Sequence, residues 1–464
     1  MKESTRKIFH WDRAFAERMV RIALPMALQN LVAASAQVVD GLMVESLGNE
    51  YYAAVTQAGR YSFLFQLFLF GAASGTSMFI SQFWGKRDEQ GIHKVMSLCL
   101  RITLGVALLF FLGTVLFPRQ IMSLFLQEGV SRDQAAQYLS LVGFSYLFAA
   151  VNIVFANTLR ATGKATLAMT AGITAILVNT LFNYILIHGR FGAPALGVRG
   201  AAIATVIAEG VSMLINVTYT YWKRQPGAMK LRHMRLPDRT FSLDYIRRVL
   251  PVVLNEGLWC LGMTMYSVFY GMLGDDAVNA VGVYSAVDEL MTVAVFGVVN
   301  ASAILIGHAI GAGRRDEAVL TAWRMLLVEE CMSLVTAAGI IALRFPILSL
   351  FRHLSGNSLT SAAHLLLIAC CVMPVRFFNT INIVGILRAG GDTVFSMALD
   401  AGSVWLVGVP CAAIATMLLG WPIEGVFAAT MVEEVLKLAV GLPRFISGKW
   451  INNLTTIGKR EEQT

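Results

Sequence analysis

The sequence predicts an all-α polytopic membrane protein, with twelve transmembrane helices in two pseudo-symmetric six-helix lobes. Three observations predict it. Of 464 residues, 56% are apolar and only 14% charged, with a mean hydropathy of +0.64, whereas a soluble domain carries about 25% charged residues. A bilayer core about 30 Å thick takes roughly 20 apolar residues per helix. Twelve stretches meet that length: 18–46, 53–84, 95–118, 134–160, 165–189, 199–222, 246–273, 278–310, 318–343, 360–388, 393–419 and 423–446. Third, the first half of the chain is written again in the second. Leu24-Pro25, Leu47-Gly48, Ala54-Val55, Phe70-Gly71 and Gly85 return 226 positions later as Leu250-Pro251, Leu273-Gly274, Ala280-Val281, Phe296-Gly297 and Gly311. Leu159-Arg160 recurs as Leu387-Arg388, and Gly200, Thr205 and Glu209 recur as Gly425, Thr430 and Glu434. A duplicated hydrophobic unit implies two similar bundles facing each other, with anything translocated passing between them.

Six spans per repeat is an even number, so both repeats enter the bilayer in the same sense. Residues 1–17 read as an amphipathic leader (Lys2, Arg6, Lys7, Trp11, Arg13) lying on the membrane surface, not as a cleavable signal. The N-lobe is 18–222. A basic linker, 223–244, follows with Pro226-Gly227, Pro237 and the run Lys230, Arg232, His233, Arg235, Arg239. The C-lobe is 245–446 and the tail 447–464. Lysine and arginine favour one set of connections over the other by 28 to 6. That bias places both termini, the linker and the tail in the cytoplasm; the plasma membrane is the expected location. Basic residues lie in short segments between apolar runs, not on one folded face, so nucleic acid is not an expected partner. The six cysteines lie within apolar runs without zinc or disulfide spacing and are expected to be buried small hydrophobes.

Charged side chains within spans are costly and mark functional positions. Asp40 lies in the outer half of the first helix and Glu256 about ten residues into the seventh, near mid-membrane. Asp40 aligns with Tyr266 in the repeat and Glu256 with Asn30, so the lobes share architecture but not chemistry. Asn179 and Asn183 stand four apart on the fifth helix, hence on one face. With Asp40 and Thr205 they form either an all-oxygen cluster suited to sodium or a hydrogen-bonded cage around a protonatable carboxyl; interhelical glue explains such residues equally well. Asn30, Gln37, Tyr266, Asp288 and Asp400 are weaker candidates for a substrate cleft, and Glu329-Glu330 for lining it. Glu433-Glu434 with Lys437 reads as helical ion pairing. Arg160 and Arg388, at matching helix ends, are expected at headgroups, which leaves Arg376 as the basic residue deep in a span. No Walker sequence, metal-ligand spacing or nucleophile–base constellation is present. The chain is therefore expected not to be an enzyme and to need no cofactor beyond a coupling ion, sodium or proton.

Ala23-Leu24-Pro25-Met26 with Gln29-Asn30, Val39-Asp40-Gly41-Leu42-Met43-Val44 and Gln82-Phe83-Trp84-Gly85 resemble the multidrug and toxic compound extrusion (MATE) family. So do Leu159-Arg160-Ala161-Thr162-Gly163, Gly200 to Thr205, Ile386 to Asp392 and Val404 to Pro410. The resemblance covers nearly the whole chain, through the order and repeat spacing of motifs that are individually loose. It implies two six-helix lobes around a central cleft, working as a monomer. Sodium or protons would be exchanged for organic, often cationic, amphipathic compounds by alternating access. It maps the family's first-helix acid onto Asp40, and the seventh-helix acid of its sodium-linked branch onto Glu256. The fifth-helix pattern of Asn then Asp reads Asn179 and Asn183 here, one carboxylate fewer, and the tenth helix reads Phe377-Phe378-Asn379-Thr380 where another acid is common. The expected cycle loads Asp40 or Glu256 from outside, which releases substrate; the lobes rock, and the ion leaves to the cytoplasm. A lipid-linked saccharide flippase of related architecture and a non-transporting receptor or structural protein are the competing readings.

Overall fold

The computed structural model describes residues 12–230, 237–351 and 354–456. The basic run Arg232, His233, Arg235, most of the leader and the last eight residues lie outside that range. The described chain is helical throughout its spans: α1 Arg13–Glu45, α2 Asn49–Gly85, α3 Glu89–Leu116, α4 Val130–Ala161, α5 Ala165–His188 and α6 Val198–Trp222 in the first half. The second half holds α7 Arg239–Gly271, α8 Asp275–Gly311, α9 Arg315–Leu348, α10 Gly356–Leu387 and α11 Thr393–Leu418. Eleven of these helices are long and apolar enough to cross a membrane. The twelfth stretch, α12, is broken at Met431 into Ile423–Thr430 and Val432–Ile446.

The repeat has a physical origin at its glycines. Gly48 and Gly274 precede α2 and α8 with φ of +122° and +96°, and Gly163 and Gly391 follow α4 and α10 with φ of +82° and +79°. Side chains rarely adopt these backbones, so the same turn demands the same residue in both copies. Where the copies differ, α10 and α11 accommodate it by widening. The last seven residues of α10, Ile381–Leu387, are π-helical, as are Val404–Gly408 and Ile414–Leu418 in α11.

Two compact units result, residues 24–249 and residues 250–456 with the first turns of α1. The division falls beside Pro25 and Pro251, inside α1 and α7. In the first unit α4 packs against α2, α3 and α6, and α5 against α6. Phe65, Leu69, Leu139, Met122 and Tyr146 form its apolar centre. In the second, α8, α9 and α10 pack together and α12 closes on α10 and α11. Large apolar side chains such as Leu109, Val335 and Leu406 remain exposed, as a lipid-facing rim requires.

Two connecting segments are packed, and the expectation for the cysteines is corrected. The linker begins as a packed turn: Met229 is buried, and Gly227 lies against Met96, Thr158 and Thr220. The tail is likewise docked as far as it is described, with Trp450 fully buried and Asn452 N–H bonded to the Gly390 carbonyl at 2.8 Å. Of the cysteines, Cys99 and Cys370 are buried, Cys260 and Cys411 half-buried, and Cys331 and Cys371 exposed.

Candidate ion-coupling site

Three helices build the N-lobe cluster. Asp40 comes from the last third of α1, Asn179 and Asn183 from one face of α5, and Thr205 from two turns into α6. Asn183 Nδ2 donates to Asp40 Oδ1 at 2.9 Å and lies 3.1 Å from Asn179 Oδ1; Asn179 Nδ2 lies 3.4 Å from Thr205 Oγ1. The Asn179 amide has two workable orientations. Turned over, its nitrogen donates to Asp40 Oδ2 at 2.9 Å and its oxygen accepts from the Thr205 backbone N–H at 3.3 Å. The physical choice follows the proton. An ionised Asp40 needs the amide nitrogen against it, and a protonated Asp40 can donate to the amide oxygen instead. Asn183 is 3% exposed and its Oδ1 receives no hydrogen bond. Among the described residues, every polar contact of Asp40 is to a neutral side chain.

The C-lobe carboxylates are arranged differently, with Glu256, Asp288 and Asp400 each beside a basic side chain. Glu256 is ion-paired with Arg388 at 2.7 Å, and Arg388 also approaches Asp400 at 3.9 Å. Asp400 accepts from Asn255 at 2.9 Å and pairs with Lys437 at 3.2 Å. Lys437 further holds Glu433 at 3.2 Å and Glu434 at 3.4 Å. Tyr266 donates to Glu433 at 2.7 Å, and Asn379 to Glu434 at 2.7 Å. Asp288 is clamped by both terminal nitrogens of Arg376, at 2.5 and 2.8 Å. Of the other cleft candidates, Asn30 is half-buried and Gln37 exposed.

Arg388, expected at headgroups, is 4% exposed inside this network, because Glu256 and Asp400 neutralise it there. Arg160 is half-buried and bonds Gln29 at 3.4 Å. Arg376 is therefore not alone: Arg388 and Lys437 are also basic residues inside the C-lobe. The helical pairing of Lys437 with Glu433 and Glu434 was visible from spacing. Its bond to Asp400, 37 residues earlier, left no local signal. Glu329 is fully buried with neither carboxyl oxygen hydrogen-bonded.

The MatE family model matches residues 25–185 and again 251–414. The two matches begin at Pro25 and Pro251, repeat equivalents, and together span more than half of the chain. The chain belongs to the MatE family. Similar MatE relatives include the probable multidrug resistance protein NorM of Thermotoga maritima, 26% identical over 447 residues, covering 94% of this chain and 93% of the relative. The multidrug resistance protein MdtK of Edwardsiella ictaluri is 26% identical over 404 residues, 85% of this chain and 86% of its own. Among solved structures, a multidrug resistance MATE transporter of the MOP superfamily in an outward-facing conformation superposes with a TM-score of 0.83 at 21% identity. That likeness covers 93% of this chain and 96% of the other, and it establishes the fold of this MatE protein.

Proposed function

We propose that this MatE protein is a secondary active multidrug efflux antiporter. It exports organic, cationic amphipathic compounds in exchange for an ion, as a monomer in the plasma membrane with both termini cytoplasmic. The N-lobe cluster is its coupling site. One observation carries this reading: Asp40 is held only by amides and a hydroxyl-bearing tier, whereas Glu256 already owns a guanidinium 2.7 Å away. A carboxyl in apolar surroundings favours its neutral or ion-paired form. Asp40 can reach that state by taking up an ion or a cationic substrate, and one site serving either gives the reciprocal negative coupling that exchange needs. Glu256 has already reached it within its own lobe.

The proton is the first reading of the ion, because Asn183 turns its N–H, not its oxygen, to the carboxylate. Sodium is the second. It is supported by the oxygens of Asp40, Asn179 and Thr205 together with the unbonded Asn183 Oδ1, which a turn of the amide would bring round. Ethidium efflux from everted vesicles tests the assignment: Asp40→Asn is expected to lose gradient-driven transport and Glu256→Gln to keep it. Wild-type transport by Asp40→Asn at equal expression would falsify the assignment. Imposed pH and sodium gradients, each alone, choose the ion.

A further inference from the structure

Helix α6 bears one polar stripe along its length. Thr205, Glu209, Ser212, Asn216 and Thr220 recur at three- and four-residue intervals, which is a single helical line. Thr205 belongs to the Asp40 tier. One turn on, about 6 Å along the axis, stands Glu209, eleven residues into a 25-residue helix and so near the middle of the span. Asn152 of α4 donates from Nδ2 to Glu209 Oε2 at 3.5 Å and to Ser212 Oγ at 3.1 Å, and receives a bond from Asn216 Nδ2 at 2.8 Å. Ser212 is 4% and Asn216 1% exposed, and Asn216 Oδ1 is buried without a hydrogen-bond partner. The tier is polar, with Ser212 and Asn216 buried and Asn152 and Glu209 half-buried, and no ion pair among the described residues reaches its carboxylate.

The second lobe shows what a countered version looks like. Glu209 recurs as Glu434, and the Asn152–Glu209 contact recurs as Asn379–Glu434 at 2.7 Å. From Asn152 to Leu159 is seven residues and from Asn379 to Leu387 is eight; the π-helical turn of α10 takes up the extra one. In the C-lobe Lys437 sits 3.4 Å from Glu434. The N-lobe residue at the Lys437 position, by the offset that relates Glu209 to Glu434, is Ser212. The carboxylate stands in both lobes and the ammonium in one.

The titratable and charged groups on the neighbouring elements make other contacts. On α4, Tyr138 lies near Thr205, Tyr146 hydrogen-bonds Ser62 at 2.8 Å, and Arg160, two turns beyond Asn152, bonds Gln29. On α5, Tyr184 and His188 lie in the last two turns, with Arg190 against the Tyr184 ring. On α6 itself, Arg199 bonds Gln137, Tyr221 bonds the Met229 carbonyl, and Tyr219 lies at the far end. On α1 there is Asp40. None of the ion pairs among the described residues includes Glu209.

We infer that Glu209 is a second proton-carrying carboxyl, and that the α6 stripe passes the coupling proton between Asp40 and the Trp222 end of α6. This rests on Asp40 as the coupling residue. The transfer balances: the proton leaves the Asp40 carboxyl as the Glu209 carboxylate accepts it, and Glu209 then releases it to water at the Trp222 end of α6, past the Ser212 hydroxyl and Asn216 amide. The charge of the pair is unchanged by the internal step, so no bare charge has to cross the apolar middle of the lobe.

The test uses the purified full-length chain in proteoliposomes with ethidium as substrate. Two readouts are taken, counterflow at equal pH and transport driven by an imposed pH gradient. Glu209→Gln is expected to keep counterflow near wild type and to lose gradient-driven transport by about a hundredfold, the scale of a positioned proton-transfer group. Ser212→Lys, which restores the C-lobe pairing, is expected to do the same. Glu209→Asp should keep gradient-driven transport with a displaced pH profile. Gradient-driven transport at the wild-type rate in Glu209→Gln overturns the inference and leaves the Asp40 reading standing. Wild-type behaviour of Asp40→Asn beside a defective Glu209→Gln sinks the Asp40 reading instead. Should Glu209→Gln fail to fold, an unaltered pH profile in Glu209→Asp overturns the inference.

Discussion

Lys437→Met is the sharpest test of how the C-lobe is held together. The ammonium is 3% exposed and stands 3.2 Å from Asp400, 3.2 Å from Glu433 and 3.4 Å from Glu434. At an effective dielectric constant of about 20, two unit charges at that distance attract by about 5 kcal/mol. Three such contacts give a gross attraction of about 15 kcal/mol, from which the desolvation of four ions, several kcal/mol each, must be subtracted. The net worth of the cluster is therefore small, but the cost of breaking it is not. Methionine keeps the stem and removes the charge, leaving three carboxylates with one ammonium fewer. Truncating one partner of a buried pair costs about 3 to 5 kcal/mol, and this site belongs at the upper end. The assay is equilibrium unfolding of purified protein in mixed micelles. Lys437→Met should lose that much stability, and Lys437→Met with Asp400→Asn should recover at least about 1 kcal/mol, since contacting residues couple on that scale. Equal stability of Lys437→Met and wild type, or no recovery in the double variant, would refute the argument.

Three further outcomes follow from the same structure. Gly408→Ala should impair folding, because a Cβ there would run into the Tyr266 hydroxyl and come within 2.5 Å of Glu433; folded yield by size-exclusion profile measures it, and a normal profile would count against the tight α7–α11 approach. Glu329→Met should raise the unfolding free energy by about 1 to 3 kcal/mol, the penalty of a buried polar group left unbonded, and a loss of stability would show that the carboxyl has a partner after all. Arg388→Met should create a sodium response: Glu256 and Asp400 lose their guanidinium, and sodium, but not choline, should then raise the thermal midpoint in that variant more than in wild type. An identical response in both proteins would mean that Arg388 does not stand in for a cation.

Much of the fold was legible because hydrophobic span length and glycine turns are local signals. Gly48, Gly163, Gly274 and Gly391 mark the same turns in both halves, and the offset between them survives two lobes' worth of divergence. The break at Met431 and the π-helical stretches were not legible, since nothing in Ile381–Leu387 or Val404–Gly408 distinguishes a widened turn from an ordinary apolar one. The gathering of Asp40, Asn179, Asn183 and Thr205 was readable from an i, i+4 pair and one isolated acid. Partners of the C-lobe acids were hidden for a different reason. Arg388 stands near a helix end, where the cheap assumption is a headgroup, and only tertiary packing brings Glu256 from α7 to it.

The two lobes are best understood as one frame with opposite electrostatic solutions. Both place an arginine at the end of the fourth helix of the repeat and an asparagine–glutamate contact in its interior. In the C-lobe the frame carries Glu256, Asp400 and Lys437, so its charges are settled against one another. In the N-lobe the corresponding positions are Asn30, Gly172 and Ser212, and among the described residues neither Asp40 nor Glu209 has an ion-pair partner. A group that must bind and release an ion in each cycle cannot keep a permanent countercharge, because the resident would outcompete the traveller at no entropic cost. On the proposed function, the lobe whose acids lack bases is therefore the one able to do coupled work. The lobe that pairs them would hold its helices while the other changes its protonation.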